Sequence, residues 1–214
     1  MPFSAKELVE EYLRIKTQIE ERLHFFDSIR ENASDNEIFY ELVFCILTPQ
    51  SRPELCWEAV LRLKDADIFS LKEGKDVLEH LYGVRFKYKK SEFVIEARQW
   101  MKSLPNGLKS YLTGFKKIED ARDALVKNVK GIGIKEAGHF LRNIGIGCEL
   151  AILDRHVLRF LVAAKVIAEI PSSLTISRYA EIEKKMRMYA RKIKIPMSHL
   201  DFVLFYRATG KIFK

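Results

Sequence analysis

Lys135 and Asp154 are the two residues of this 214-residue chain whose types and surroundings suit them to do chemistry together. Lys135 follows the turn Val129-Lys130-Gly131-Ile132-Gly133-Ile134, and Asp154 closes the apolar run Leu150-Ala151-Ile152-Leu153 nineteen residues later. Glycines at 131 and 133 let the turn reach backbone conformations closed to residues with a Cβ. Its N–H groups then lie beside the start of the next helix, where unsatisfied donors and the positive end of the helix dipole make an anion site. A phosphate of a nucleic-acid backbone suits such a site, although an ordinary helix–helix turn has the same pattern. A lysine in the first helical turn faces the dipole with the wrong sign, at a cost of about a few tenths of a kcal/mol. An amine there, once neutral, is a nucleophile. A surface lysine among 37 Lys and Arg residues is the plainer explanation, and Asp154 bears on the choice. Ten helical residues carry the chain roughly 15 Å away. The segment 146–153, if extended, spans up to about 26 Å and brings it back. Asp154 can therefore approach the amine while capping the helix that Arg155 opens.

The elements that must position this pair read as helices almost throughout. Ala137, Phe140, Leu141 and Ile144 recur at helical spacing after the hairpin, and glycines at 145 and 147 stop that helix. Ser4 with Glu7, Ser34 with Glu37 and Ser51 with Glu54 form capping-box patterns that open the first three helices. The second must stop near Pro49, because the residue before a proline avoids the helical region. The third runs through Leu63, and further helices are expected over 75–82, 88–101, 117–128, 155–168, 177–192 and 197–208. No segment alternates with the period of a strand, so the fold class is all-α. A hydrophobic content of 48% supplies a substantial core. The net charge of +8 points to a polyanionic partner. Cys45, Cys56 and Cys148 are too scattered for a disulfide framework or a metal site, and the five histidines have no zinc-type spacing. With no targeting or transmembrane run in view, the expectation is a cytoplasmic, reducing compartment. One further stretch mixes charge and rings: Gly83-Val84-Arg85-Phe86-Lys87-Tyr88-Lys89-Lys90 offers cations for phosphates and aromatics for stacking, or a solvated helix start.

The hairpin resembles that of the helix-hairpin-helix DNA glycosylases, which include endonuclease III and the 8-oxoguanine glycosylases. Val129, Gly131, Ile132, Gly133 and Lys135 match its pattern, and Asp154 stands where that family has its aspartate. Ile46-Leu47-Thr48-Pro49-Gln50-Ser51 resembles the segment from which a polar side chain enters the duplex as the damaged base leaves, with Gln50 in the plug position. The G-x-R-F run at Gly83 to Phe86 is similar to that of the archaeal-type 8-oxoguanine glycosylases, whose phenylalanine stacks on the extruded base. The end of the chain, Phe205 to Lys214, also resembles that branch. There an aromatic, often Trp, closes the other side of the base sandwich, and a final lysine contacts the base. Phe205 holds the matching position here, with Tyr206 as the neighbouring candidate. The iron–sulfur cluster of many endonuclease III relatives needs cysteines that this chain lacks after Cys148.

The resemblance implies a bifunctional enzyme, a glycosylase and AP lyase, acting on double-stranded DNA that contains a damaged base, with 8-oxoguanine as the expected lesion. It implies two helical lobes, residues 32–147 with the hairpin and residues 1–31 plus 148–214, and an active site in the cleft between them. Lys135 would be the nucleophile and Asp154 its acid–base and electrostatic partner. Phe86, Phe205 and Lys214 would recognise the base, and Gln50, Arg85, Gly131 and Gly133 would bind DNA. No cofactor is required, a monovalent cation at the hairpin is a candidate, and the expected unit is a monomer with no membrane attachment. Two other functions fit parts of the pattern: a glycosylase/lyase for oxidised pyrimidines, and a non-catalytic helix-hairpin-helix DNA-binding module, which has no use for Lys135 or Asp154.

Overall fold

The computed structural model describes residues 4–213. Among them are eleven helices and no strand: α1 (Ala5–Asn32), α2 (Asp35–Leu47), α3 (Pro53–Asp65), α4 (Gly74–Leu78), α5 (Lys87–Lys102), α6 (Gly107–Thr113), α7 (Ile118–Asn128), α8 (Ile134–Asn143), α9 (Arg155–Ala163), α10 (Ile176–Ile193) and α11 (Met197–Thr209). The all-α expectation holds. Among the described residues no helix is long and apolar enough to cross a membrane.

Local signals account for most helix starts. Ser34 accepts from the Glu37 N–H at 3.3 Å while Glu37 accepts from the Ser34 N–H at 2.8 Å, a complete capping box. Ser4 accepts from the Glu7 N–H at 3.4 Å. The third expected box does not form. Arg52 is the N-cap of α3 and Pro53 occupies its first turn, so Ser51 is left outside the helix and its hydroxyl serves other partners. The helix expected over 155–168 ends at Ala163, where Lys165 turns left-handed, and that over 75–82 shortens to α4. Short α6 carried no legible signal, because its start is fixed from a distance: Asp35 accepts from the Lys109 N–H at 2.7 Å.

Two hydrophobic cores form. The first gathers Ile38 to Leu150 around α2, a helix apolar on nearly every side and buried from Glu41 through Leu47. The second draws Leu8 to Phe26 of α1 together with Ala151 to Leu204, so the two ends of the chain share it. The chain passes from one core to the other between Leu150 and Ala151, four residues before Asp154, and Phe213 returns to pack on the first.

Candidate active site

The hairpin lies between α7 and α8. Val129 and Ile132 are buried anchors, and Gly131 sits at φ +83°, where a Cβ would also meet the Phe93 ring at 2.5 Å. Gly133 departs from expectation. Its φ of −97° with ψ of −177° is open to any residue, and its part is to cap α8. The Gly133 N–H donates to Glu136 Oε2 at 3.3 Å, and a glycine has no side chain to return the bond. Lys135 therefore stands in the first turn of α8, with its amine 3.0 Å from Glu136 Oε1. Glu136 holds the helix start with one oxygen and the amine with the other.

Asp154 is the N-cap of α9, accepting from the Val157 N–H at 2.8 Å. The segment before it is held from both sides. The Tyr179 hydroxyl donates to Ala151 O at 2.7 Å and accepts from the Leu153 N–H at 3.1 Å. Glu183 accepts from the Ala151 N–H at 2.6 Å and pairs with Arg122 at 3.0 Å. Both partners of that ion pair are buried, and they tie α7 of the first core to α10 of the second. Burial pushes the Tyr179 phenol well up, so it stays a donor at neutral pH.

Lys135 and Asp154 line one cleft of about 580 Å³. Its floor holds a second buried ion pair, Arg142 of α8 with Asp201 of α11. Arg142 also lies 4.6 Å above the Phe202 ring and donates to Asn143, whose amide donates in turn to Glu41 of α2. Asp201 is pushed up to about 6 by burial, against the pull of Arg142 and with a further push from Asp154. The walls are aromatic and basic, with Phe205, Phe213, His156 and Lys211. Lys211 reaches across to Glu54 at the start of α3, at 2.8 Å. Its ammonium holds the Glu54 carboxyl below its ordinary value.

The structure thus brings Lys135, Asp154, Gln50 and Phe205 together at the cleft. Tyr206, the neighbouring candidate, packs on the second core instead. Gly131 and Gly133 shape the adjacent hairpin. Phe86 and Arg85 do not line the cleft: Phe86 is 53% exposed and left-handed at φ 58°, at the start of α5. The Arg85 N–H donates to Ser51 Oγ at 3.0 Å, which ties their turn to the one carrying Gln50. Lys214 lies outside the described residues. Sequence reasoning missed Glu136, Arg142 and Asp201. The capping-box offset from Gly133 signals Glu136. Arg142 and Asp201 are lone charges within helices, where a charge ordinarily reads as solvated, and nothing local marks them as buried.

A family model described as 8-oxoguanine DNA glycosylase matches residues 19–195. The 8-oxoguanine DNA glycosylase/AP lyase of Fusobacterium nucleatum is 43% identical over 206 residues, covering 95% of this chain and 94% of its own. The crystal structure of the Thermotoga maritima 8-oxoguanine DNA glycosylase superposes with a TM-score of 0.87 at 33% identity, covering 98% of each chain. That of the Methanocaldococcus jannaschii 8-oxoguanine glycosylase/lyase in complex with a 15-mer DNA containing 8-oxoguanine gives 0.88 at 36% identity, over 98% of this chain and 99% of the other.

Proposed function

This chain belongs to the 8-oxoguanine DNA glycosylase family, and from that premise we propose that it excises 8-oxoguanine from duplex DNA and then cleaves the abasic site. The observation that carries the reading is the placement of an amine and a carboxylate, Lys135 and Asp154, in one cleft where the chain crosses between its two cores. A helix-hairpin-helix that only bound DNA would need neither group.

The neutral amine of Lys135 attacks C1′ of the extruded nucleotide, and the bond to the base breaks as the new C–N bond forms. Asp154 stabilises positive charge developing on the sugar and takes the proton that the amine gives up. The sugar ring opens to an imine between Lys135 and C1′. That imine acidifies C2′, so a C2′ proton is lost, the C3′–O bond breaks and the 3′ phosphate departs. Water then hydrolyses the imine and frees the lysine. The amine rests 3.0 Å from Glu136 Oε1, so attack on C1′ requires it to leave that contact.

Phe205 forms one wall for the base, and we assign the other face of the base to Phe86, on the turn that Ser51 joins to that of Gln50. Gln50 fills the space left in the stack. 8-Oxoguanine differs from guanine in carrying a hydrogen on N7, and leaving a buried donor unpaired costs about 1–3 kcal/mol. We assign the acceptor for that hydrogen to a main-chain oxygen of Lys214, since its side chain can only donate. We take the lobes to be residues 32–147 and residues 1–31 plus 148–214, a division that the two hydrophobic cores support; the enzyme acts as a monomer, and no redox group takes part. A monovalent cation at carbonyls of the 129–133 turn would serve phosphate binding and no chemical step.

Borohydride trapping on duplexes carrying 8-oxoguanine, oxidised pyrimidines or preformed abasic sites tests the reading. The protein should be linked covalently to 8-oxoguanine and abasic duplexes, and Lys135→Gln should bind but not be trapped. Trapping confined to oxidised pyrimidines would assign the other substrate class, and no trapping at all would return the hairpin to plain DNA binding.

A further inference from the structure

The turn between α2 and α3 is held in an unusual way. Gln50 sits at φ 56°, a left-handed conformation that residues with a Cβ keep only when their surroundings over-determine it. Its side chain lines the cleft and makes no hydrogen bond among the described residues. What is fixed is the backbone, and Lys90 fixes it. This lysine, on the first turns of α5, is 4% exposed, and its amine donates to Leu47 O at 2.6 Å, Pro49 O at 2.8 Å and Ser51 Oγ at 3.0 Å. An ammonium has three hydrogens, and all three go to this one turn. The three acceptors are two carbonyls and a hydroxyl, and none is a carboxylate. Burial accordingly holds the amine down to about 8, and nearby Arg85 pushes the same way. A fold keeps so costly a group only for something an apolar side chain of equal length does not provide.

Ser51 extends the clasp. Its Oγ also accepts from the Arg85 N–H at 3.0 Å, so the turn carrying Gln50 and the left-handed turn carrying Phe86 are joined through a single hydroxyl. Cys56 reinforces the first anchor, its thiol donating to Leu47 O at 3.2 Å.

We infer that Lys90 is a positioning residue for base extrusion, which presents Gln50 to the duplex in a fixed conformation and sets the Arg85–Phe86 turn in register with it. The inference rests on the reading of Gln50 as the group that enters the vacated stack. It assigns to one buried amine the task of preparing both the plug and the stacking turn before DNA arrives. Without the clasp, part of the binding energy that drives the base out is spent on ordering the turn.

A double-mutant cycle tests this, with single-turnover excision of 8-oxoguanine from duplex DNA measured for wild type, Lys90→Met, Gln50→Ala and the pair. Lys90→Met and Gln50→Ala should each slow excision by about tenfold or more, since unstacking a base carries a barrier of that order. The loss in the pair should fall well short of the product of the two single losses, because Lys90 acts in part through Gln50. Trapping of Lys90→Met on a single-stranded abasic site, where there is no stack to plug, should stay within about twofold of wild type. Should Lys90→Met fail to fold, Ser51→Ala takes its place in the cycle, since it removes the shared hydroxyl and leaves the buried charge. Losses that multiply in the pair, or equal losses on duplex and single strand, overturn the inference while leaving the glycosylase reading intact. A wild-type rate in Gln50→Ala removes the plug and the role of Lys90 with it. Failure of the wild-type protein on every substrate would instead refute the proposed function.

Discussion

Asp154 carries two jobs that a pair of substitutions separates. As the N-cap of α9 it accepts from the Val157 N–H at 2.8 Å, and asparagine offers an amide oxygen in the same place. Asp154→Asn therefore loses only the charge, which is worth about 0.3–1 kcal/mol at a helix N-terminus. Part of that loss is returned, because the Asp154 charge works against ionisation of buried Asp201. Asp154→Ala loses the cap as well, a further cost of about 0.5–2 kcal/mol. In a chain of this size each kcal/mol moves Tm by about 2–4 °C. The melting series should run wild type, Asn close behind, Ala lowest. The activity series should not follow it. Removing a positioned acid–base group costs about 10²–10⁴-fold in rate, so both variants should fall together by that amount in single-turnover excision. Differential scanning calorimetry and quenched-flow assays on the same preparations give the two series. If activity declines in step with Tm, with Asp154→Asn near wild type and Asp154→Ala impaired, the carboxylate is a cap alone.

Phe205→Ala should slow excision of 8-oxoguanine by about ten- to a hundredfold, the worth of a base–ring stack. Cleavage of a preformed abasic site should be spared, whereas Tyr206→Ala should lower Tm and affect both substrates alike. Tyr179→Phe leaves Ala151 O and Leu153 N without the hydroxyl that joins them, so stability should drop by about 2 kcal/mol or more. Activity below the new Tm should still fall, because Asp154 follows directly on that segment; a stable, fully active variant refutes this account. Lys90 gives a pH signature. Its folded value near 8 lies below the ordinary 10.5, so between those limits the unfolded chain holds more protons and stability should rise with pH, by at most about 3 kcal/mol. The buried thiols of Cys45, Cys56 and Cys148 and the phenols of Tyr179 and Tyr189, all raised by burial, act in the opposite sense, so the quantity to read between pH 8 and 10 is the urea-unfolding free energy of wild type minus that of Lys90→Met, which should rise with pH.

What was legible in the sequence was local. The Ser34 box, the stop before Pro49 and the glycine at 131 are decided within a few residues, and each forms as expected. The failures share a cause. Ser51 with Glu54 has the spacing of a box, but tertiary partners at Arg85 and Lys90 take the hydroxyl. The start of α6 is capped by Asp35, far back in the chain, and no window of sequence contains both. Gly133 looks like a conformational glycine and is an extended cap. The site divides along the same line. Lys135 and Asp154 stand out because hairpin and cap mark them locally, whereas Glu183 acts on Asp154 through the Ala151 N–H and is joined to the site by packing alone.

Two ion pairs flank the crossing between the cores, Arg122 with Glu183 on one side and Arg142 with Asp201 on the other. Buried pairs of this kind return little net stability, since removing both charges from water offsets most of their attraction. Apolar contacts between α7 and α10, or α8 and α11, would hold the cores together as well, but they tolerate sliding. A guanidinium held against a buried carboxylate does not, because sliding would leave both charges buried and unpaired. Register is what the site needs. Lys135 belongs to a helix of the first core, and Asp154 follows the segment that enters the second. Their separation is therefore the relative position of two cores. A displacement of about 1 Å at such a pair costs on the order of a hundredfold in rate. Arg142 and Glu183 sit where that displacement would begin, the first on the helix of Lys135 and the second bonded to the backbone three residues before Asp154.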